Sequence, residues 1–237
     1  VCPSPLLSSV GFPNKIVCPE EFSQTRRAEL ASKLRAITGW QGIGFDQSGA
    51  LQVGAREARG GSQTARNLIA QALAGTNLIV LEDASNRQDV VFCRVVSGRW
   101  KHHSSEMPPT FVVLIDFADF DHVMGDQAAL KAFDPGWAFL HEIDHVINDS
   151  ADGTVQNDAG ECEDHINVMR TECDVPLRSE YFFTYFPYAQ QSNVRTRLVR
   201  LAFDHEDPVS RKRRRYWVMW DAMLVGGLNT QQIARGR

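Results

Sequence analysis

Two histidines stand four residues apart with a glutamate beside the first, in His141-Glu142-Ile143-Asp144-His145. On a helix, positions i and i+4 lie one above the other, so the two imidazoles can grip a single ion. Neutral imidazole nitrogen binds zinc at about 2.0–2.1 Å, and three protein donors leave a fourth position for water. Glu142 is placed to take a proton from that water, the general-base role in peptide hydrolysis. Short motifs arise by chance, and most helical histidines are core or surface residues. The zinc reading is preferred here because the motif sits in an apolar helix and precedes an acid-rich segment.

The helix that must carry these residues is legible. Leu140, Ile143, Val146 and Ile147 give apolar residues at helical spacing, with Asp134 as the expected cap and Pro135 in the first turn. A third ligand must come from elsewhere. A histidine six residues after His145 would complete one known pattern, but that position is Ala151. The next segment reads as a helix with Cys162, Ile166, Met169 and Cys173 as its apolar stripe, and Asp158 to Glu161 has capping-box spacing. Glu161 and Glu163 flank the stripe on opposite edges, and either can turn inward. Glu163 is preferred, because Asn167 shares its face and can orient a zinc-bound histidine; Glu161 is the rival. Asp164, His165 and Glu172 rank lower.

The pattern His-Glu-x-x-His with a downstream glutamate resembles the gluzincin metallopeptidases. Asn167-x-x-Arg170-x-Glu172-x-x-x-Pro176-x-Arg178 resembles a segment of zinc-metallopeptidase domains in bacterial polymorphic toxins and secreted effectors. The likeness covers roughly residues 137–181, with Ile166 where such relatives often carry Glu and Asp174 where Gly is common. It implies an α+β, zincin-like domain with a small mixed sheet, and zinc as cofactor. It also favours a secreted or delivered protein over a cytoplasmic one. Arg170 and Arg178 are expected to hold the ligand helix by carboxylate pairing, with binding of a substrate carboxylate as the alternative. Tyr181, Tyr185 and Tyr188 are candidate donors to a developing oxyanion.

The rest of the chain bounds these readings. Its 237 residues suit one sizeable domain, and its charge and apolar content are ordinary for a globular protein. No apolar run approaches the roughly 20 residues of a membrane span. The first residue is Val1 rather than Met, as in a processed or trimmed product. The net charge of −4 is uneven: eleven acidic residues face two arginines between His141 and Glu180, as a dication site invites, while the tail is basic. Arg211 to Arg215 reads as a solvated turn and strand edge in preference to a nucleic-acid patch. Five cysteines are too few for a disulfide scaffold. Cys162 and Cys173 lie roughly 16 Å apart along a helix axis, out of bridging range, and read as core residues. Cys2 and Cys18 are positioned to pair in an oxidising compartment.

Residues 1–18 are expected to be an extended surface lead, and 19–237 a single domain. Helices are expected from Pro19 to Thr38, stopped by Gly39, and from Ser62 to Ala74, with a hairpin over Gly42–Val53 between them. Strands are expected at Asn77–Leu81, Val90–Val96 and Phe111–Phe117, and a short helix at Asp126–Phe133. Lys101-His102-His103 reads as an exposed loop. Asn148 to Gly160 has a partial likeness to a calcium loop without its full ligand series. Arg195–Phe203 and Arg214–Trp220 are expected to pair across Asp207-Pro208. Three functions compete. The first is a zinc endopeptidase acting on protein or peptide, with Glu142 as base. The second is a catalytically silent zincin scaffold that binds a partner, against which the intact Glu142 argues. Nucleic-acid binding through the basic tail ranks last.

Overall fold

A computed structural model describes residues 15–54, 57–98, 108–155, 158–186, 197–207 and 210–226. Lys101-His102-His103, Tyr188, Cys2 and most of the 1–18 lead lie outside the described residues. The fold is mixed α and β, with two main sheets and a small hairpin. Strands β1 (Ile16–Val17), β4 (Leu78–Asp83) and β6 (Thr110–Ile115) run parallel, and β5 (Cys93–Gly98) joins β6 antiparallel as the outer strand, in the order β1-β4-β6-β5. The end of the expected surface lead is therefore part of the sheet: Ile16 is fully buried, and Cys18 is a buried free thiol pushed up to about 12 by burial, with a smaller opposing pull from Arg27.

Helix α1 (Gln24–Thr38) starts later than the sequence suggests, because Ser23 caps it by accepting from the Arg26 N–H; Gly39 ends it at φ 71°, a conformation that suits glycine. Strands β2 (Ile43–Phe45) and β3 (Leu51–Val53) make the expected hairpin, and Ser62 caps α2 (Gln63–Ala74). Strand boundaries shift by a few residues, and two of the shifts have a local cause. The expected strand at Val90 begins only at Cys93, because Phe92 takes a φ of 63° that no strand residue adopts. The strand from Phe111 stops at Ile115, where Asp116 caps a short helix, α3 (Phe117–Asp121), by accepting from the Asp119 N–H. After β7 (Met124–Gly125) and α4 (Gln127–Lys131) comes α5 (Pro135–Asn148), with the Asp134 carboxylate accepting from the Gly136 and Trp137 N–H groups.

Helix α5 is the centre of the molecule, packing against α1, α2, β5, β6 and α6 (Gly160–Glu172). Leu140 and Ile143 are fully buried in the larger core, which packs against the parallel strands. The capping box expected before α6 does not form: its N-cap is Ala159, with no side-chain bond, and Glu161 points to solvent. The Asp158 carboxylate accepts instead from the Gly160 N–H at 3.0 Å, and Gly160, at φ 85°, lies so close to the Gly153 backbone that any side chain there would collide. The second sheet is antiparallel, in the order β7-β11-β10-β8, with β8 (Leu177–Arg178), β9 (Thr184–Tyr185), β10 (Leu198–Glu206) and β11 (Arg213–Asp221). The expected hairpin is present, with Phe203 opposite Tyr216; of the basic run, Arg211 and Lys212 lie in the turn and Arg213 to Arg215 open β11. Beneath it lies a second, aromatic core of Phe92, Phe133, Phe203 and Trp220. Among the described residues, no helix is long and apolar enough to cross a membrane.

Candidate metal centre

His141 and His145 face the same way from α5, with their Nε2 atoms 3.2 Å apart and their rings nearly perpendicular. Nδ1 of His145 lies 2.7 Å from the Ser150 carbonyl oxygen, which can only accept, so this nitrogen carries the proton and a neutral ring leaves Nε2 as a lone pair. Nδ1 of His141 lies 3.3 Å from Glu163 Oε2, off the line of a hydrogen bond but close enough for the carboxylate to favour a proton there. Asp152 Oδ1 completes the convergence, 3.0 Å from one Nε2 and 3.2 Å from the other. Two imidazole nitrogens and a carboxylate oxygen at this spacing make a place that favours positive charge, whether a proton on a ring or a cation. The local field says the same. Hydrogen bonding to Asp152 and Cys162, with the Ser150 carbonyl, lifts His145 to about 11 against an opposing effect of burial. Burial works against a charge on His141, yet Asp152, Cys162 and Glu163 raise it well above the ordinary histidine range.

The donor set suits a metal ion. His141, His145 and Cys162 offer ligand atoms that all lie within 4.8 Å of one another. The Cys162 thiol is fully buried behind the histidines and contacts the His141 carbonyl at 3.3 Å. Asp152 comes from the cleft side and is 40 % exposed at its side chain. It reaches the histidines because the loop folds back on itself: the Cys162 N–H donates to the Ala151 carbonyl, and Gly153 is crowded against Asp158.

Glu163 sits behind the histidines. Arg170 grips its Oε1, and Arg178 Nη1 lies 2.9 Å from Oε2. Burial alone would raise Glu163; the two guanidiniums and His141 override it and hold the carboxyl well below its usual range. The Asn167 side chain bonds Arg170 and Arg178 and not the histidines. It accepts from Arg170 and from the Arg178 N–H and donates to the Arg178 carbonyl, tying β8 to α6. Glu161 is exposed, and Glu172 bonds Ser62 and Thr64 at the start of α2. His165 lies 3.0 Å from Asp144 Oδ2, which also accepts from the Ser150 hydroxyl at 2.5 Å and so fixes the residue whose carbonyl holds His145.

Glu142 is 8 % exposed, and its Oε2 accepts from the outward-facing N–H of Val95 on β5 at 2.8 Å. Burial raises its carboxyl, with the neighbouring histidines pulling the other way. Tyr181 hydrogen-bonds Asp152 and borders the same cleft; Tyr185 is exposed on β9. Sequence reasoning missed Asp152 and Cys162. One was hidden in a loop with a calcium-like pattern, the other in an apolar stripe where a cysteine is read as core. No family model, curated protein or solved structure matches the chain.

Proposed function

We propose that this chain is a zinc-dependent peptidase. The observation that carries the reading is the convergence of His141 Nε2, His145 Nε2 and Asp152 Oδ1 beside the buried carboxylate of Glu142. Imidazole and carboxylate donors at this spacing suit zinc, which when bound would supply the positive charge that polarises a carbonyl and acidifies water. In this reading Asp152 is the third donor, and Glu163, preferred from the sequence, stands behind His141 and orients it. Glu142, with its raised carboxyl, takes the proton of the attacking water and returns it to the leaving amine. Tyr181, anchored by Asp152, borders the cleft where an oxyanion would develop. The outer strand β5 lines that cleft and gives a peptide an extended edge to follow. The likeness to toxin and effector domains extends the proposal to a secreted protein acting on other proteins.

A second reading rests on Cys162. If its thiol joined the two histidines and Asp152, the site would be closed, as structural zinc sites are, and the chain would be a binding scaffold. Metal analysis of the purified protein and its variants separates the two. The peptidase reading expects about one zinc per chain, lost in His141→Ala and His145→Ala, reduced in Asp152→Asn by roughly 10–100-fold in affinity or more, and retained in Cys162→Ser. Loss in Cys162→Ser with no cleavage of a broad peptide library by the wild type would favour the scaffold. Full zinc retention in the His141→Ala, His145→Ala double variant would sink both.

A further inference from the structure

Glu142 has a largely aromatic cavity on one side that the proposed chemistry leaves unused. The space is about 160 Å³, and His141, Glu142 and Tyr181 border it. Its walls are rings: Phe92, Phe133, Trp137, Phe183 and Trp220, closed along α5 by Ala138. Most of these rings brace one another edge to face, with centroids 4.9 Å apart for Phe92–Phe133 and Phe92–Trp220, and 5.3 Å for Phe183–Trp220. The charged groups that also line it are paired: Glu163 bonds Arg170 and Arg178, and Arg178 further bonds the carbonyls of Glu180 and Tyr181. On the other side of Glu142 the cleft is polar, bordered by Asp89, Arg94 and Asp152.

The wall is held in place at a conformational cost. Phe92 is the centre of a three-residue turn closed by Cys93 N–H to the Val91 carbonyl, at φ 63°, the strained form of such turns for a bulky residue. Asp119 accepts from the Phe92 N–H and the Asp116 N–H donates to the Phe92 carbonyl, both at 2.9 Å. Strain of this kind gathers where a side chain must be aimed. Here it aims an aromatic ring into the cavity beside Glu142.

We propose that this cavity is a side-chain subsite taking one bulky apolar residue, Phe, Leu or Met, next to the bond that is cut, with Ala138 setting its depth. The size is right: apolar cavities on the order of 150 Å³ accept a benzene ring. Ala138 lies one turn before His141 and Glu142 on α5 and lines the cavity, so a larger side chain there would enter the space, and the Phe-over-Ala ratio separates filling from any general effect on the neighbouring site. The proposal rests on the peptidase reading for its substrate, but side-chain binding can be measured without hydrolysis.

Saturation-transfer NMR on the full chain would compare N-acetyl-phenylalanine amide with N-acetyl-alanine amide. Transfer to the ring protons is expected in the wild type, little to the alanine amide, and loss of the ring signal in Ala138→Leu, with Ala138→Val as a milder filling should the larger one disturb the fold. In a peptide library, the ratio of kcat/KM for Phe over Ala beside the cut should fall at least about tenfold in Ala138→Leu. Cleavage indifferent to that residue, or ring transfer unchanged by both fillings, would overturn the subsite while leaving the peptidase intact. Ring transfer lost on filling, in a protein that cuts no peptide, would sink the peptidase reading and uphold the cavity as an apolar side-chain site.

Discussion

Two glutamates lie buried on either side of His141, and their surroundings drive them in opposite directions. Glu142 keeps one backbone N–H, that of Val95, and burial raises its carboxyl against the pull of the two histidines. Glu163 is just as hidden, but Arg170 and Arg178 reverse the effect of burial and hold it ionised. One carboxylate is left able to exchange a proton; the other is a fixed charge set behind a histidine. Environments that push two carboxyls apart in this way divide proton transfer from electrostatic support. Residue type alone could not have assigned those roles.

The strongest way to break the comparison is Glu142→Gln. Hydrolysis should fall by about 10²–10⁴-fold, because an amide cannot take the water's proton. Stability should hold or rise slightly, since the amide oxygen still accepts from Val95 and no charge is buried. Steady-state kinetics and a thermal melt test both halves. A wild-type rate removes Glu142 from the mechanism, and a large drop in melting temperature makes its role structural. The counterpart is Glu163→Ala. It leaves the fully buried Arg170 without its anion, and breaking such a pair costs about 3–5 kcal/mol. Denaturant unfolding should therefore show a large loss. A loss under about 1 kcal/mol would mean that the arginines find other partners and that the contrast does not govern the site.

How far the sequence reached follows the same division. The helix carrying His141 and His145 was readable because its cap, its first-turn proline and its apolar spacing are all local. Position at the edge of the α6 stripe leaves either Glu161 or Glu163 able to turn inward; Glu163 is preferred for the Asn167 on its face, which in the structure bonds Arg170 and Arg178. Arg170 and Arg178 are expected to pair with a carboxylate of this helix, and they do; that both meet on Glu163 depends on the Asn167 clamp, which brings Arg178 in from β8 fifteen residues away. Asp152 was out of reach for a similar reason: a loop residue is aimed by the crossing of Gly153 and Gly160, which no periodicity reports. The strand expected from Val90 failed at Phe92, where a carboxylate 27 positions on holds a conformation that local propensity argues against. The Cys93–Val96 stretch that follows is strand as its composition suggests.

Asp119 offers the finest test, being a third buried carboxylate of the Glu142 kind. It is 3 % exposed, its partners are the backbone N–H groups of Phe92 and Gly226, and burial lifts it to about 6. Its folded pKa thus stands above the unfolded value of about 3.9, so the folded chain holds this proton more tightly. The resulting stability is fully present below about pH 4 and is lost as the pH rises through 6. Asp119→Asn cannot titrate and satisfies only one of the two N–H groups, so it should be less stable by about 1–3 kcal/mol. That gap should be widest near pH 4 and narrow toward pH 7 as the wild type gives up its contribution. Denaturant unfolding of both proteins across this range would show it, with changes elsewhere in the molecule cancelling in the difference. A gap that widens with pH would mean that the two N–H groups outweigh burial and hold Asp119 ionised. Backbone donors would then do for Asp119 what two guanidiniums do for Glu163, and the line drawn between the two glutamates would rest on donor number and not on the arginines.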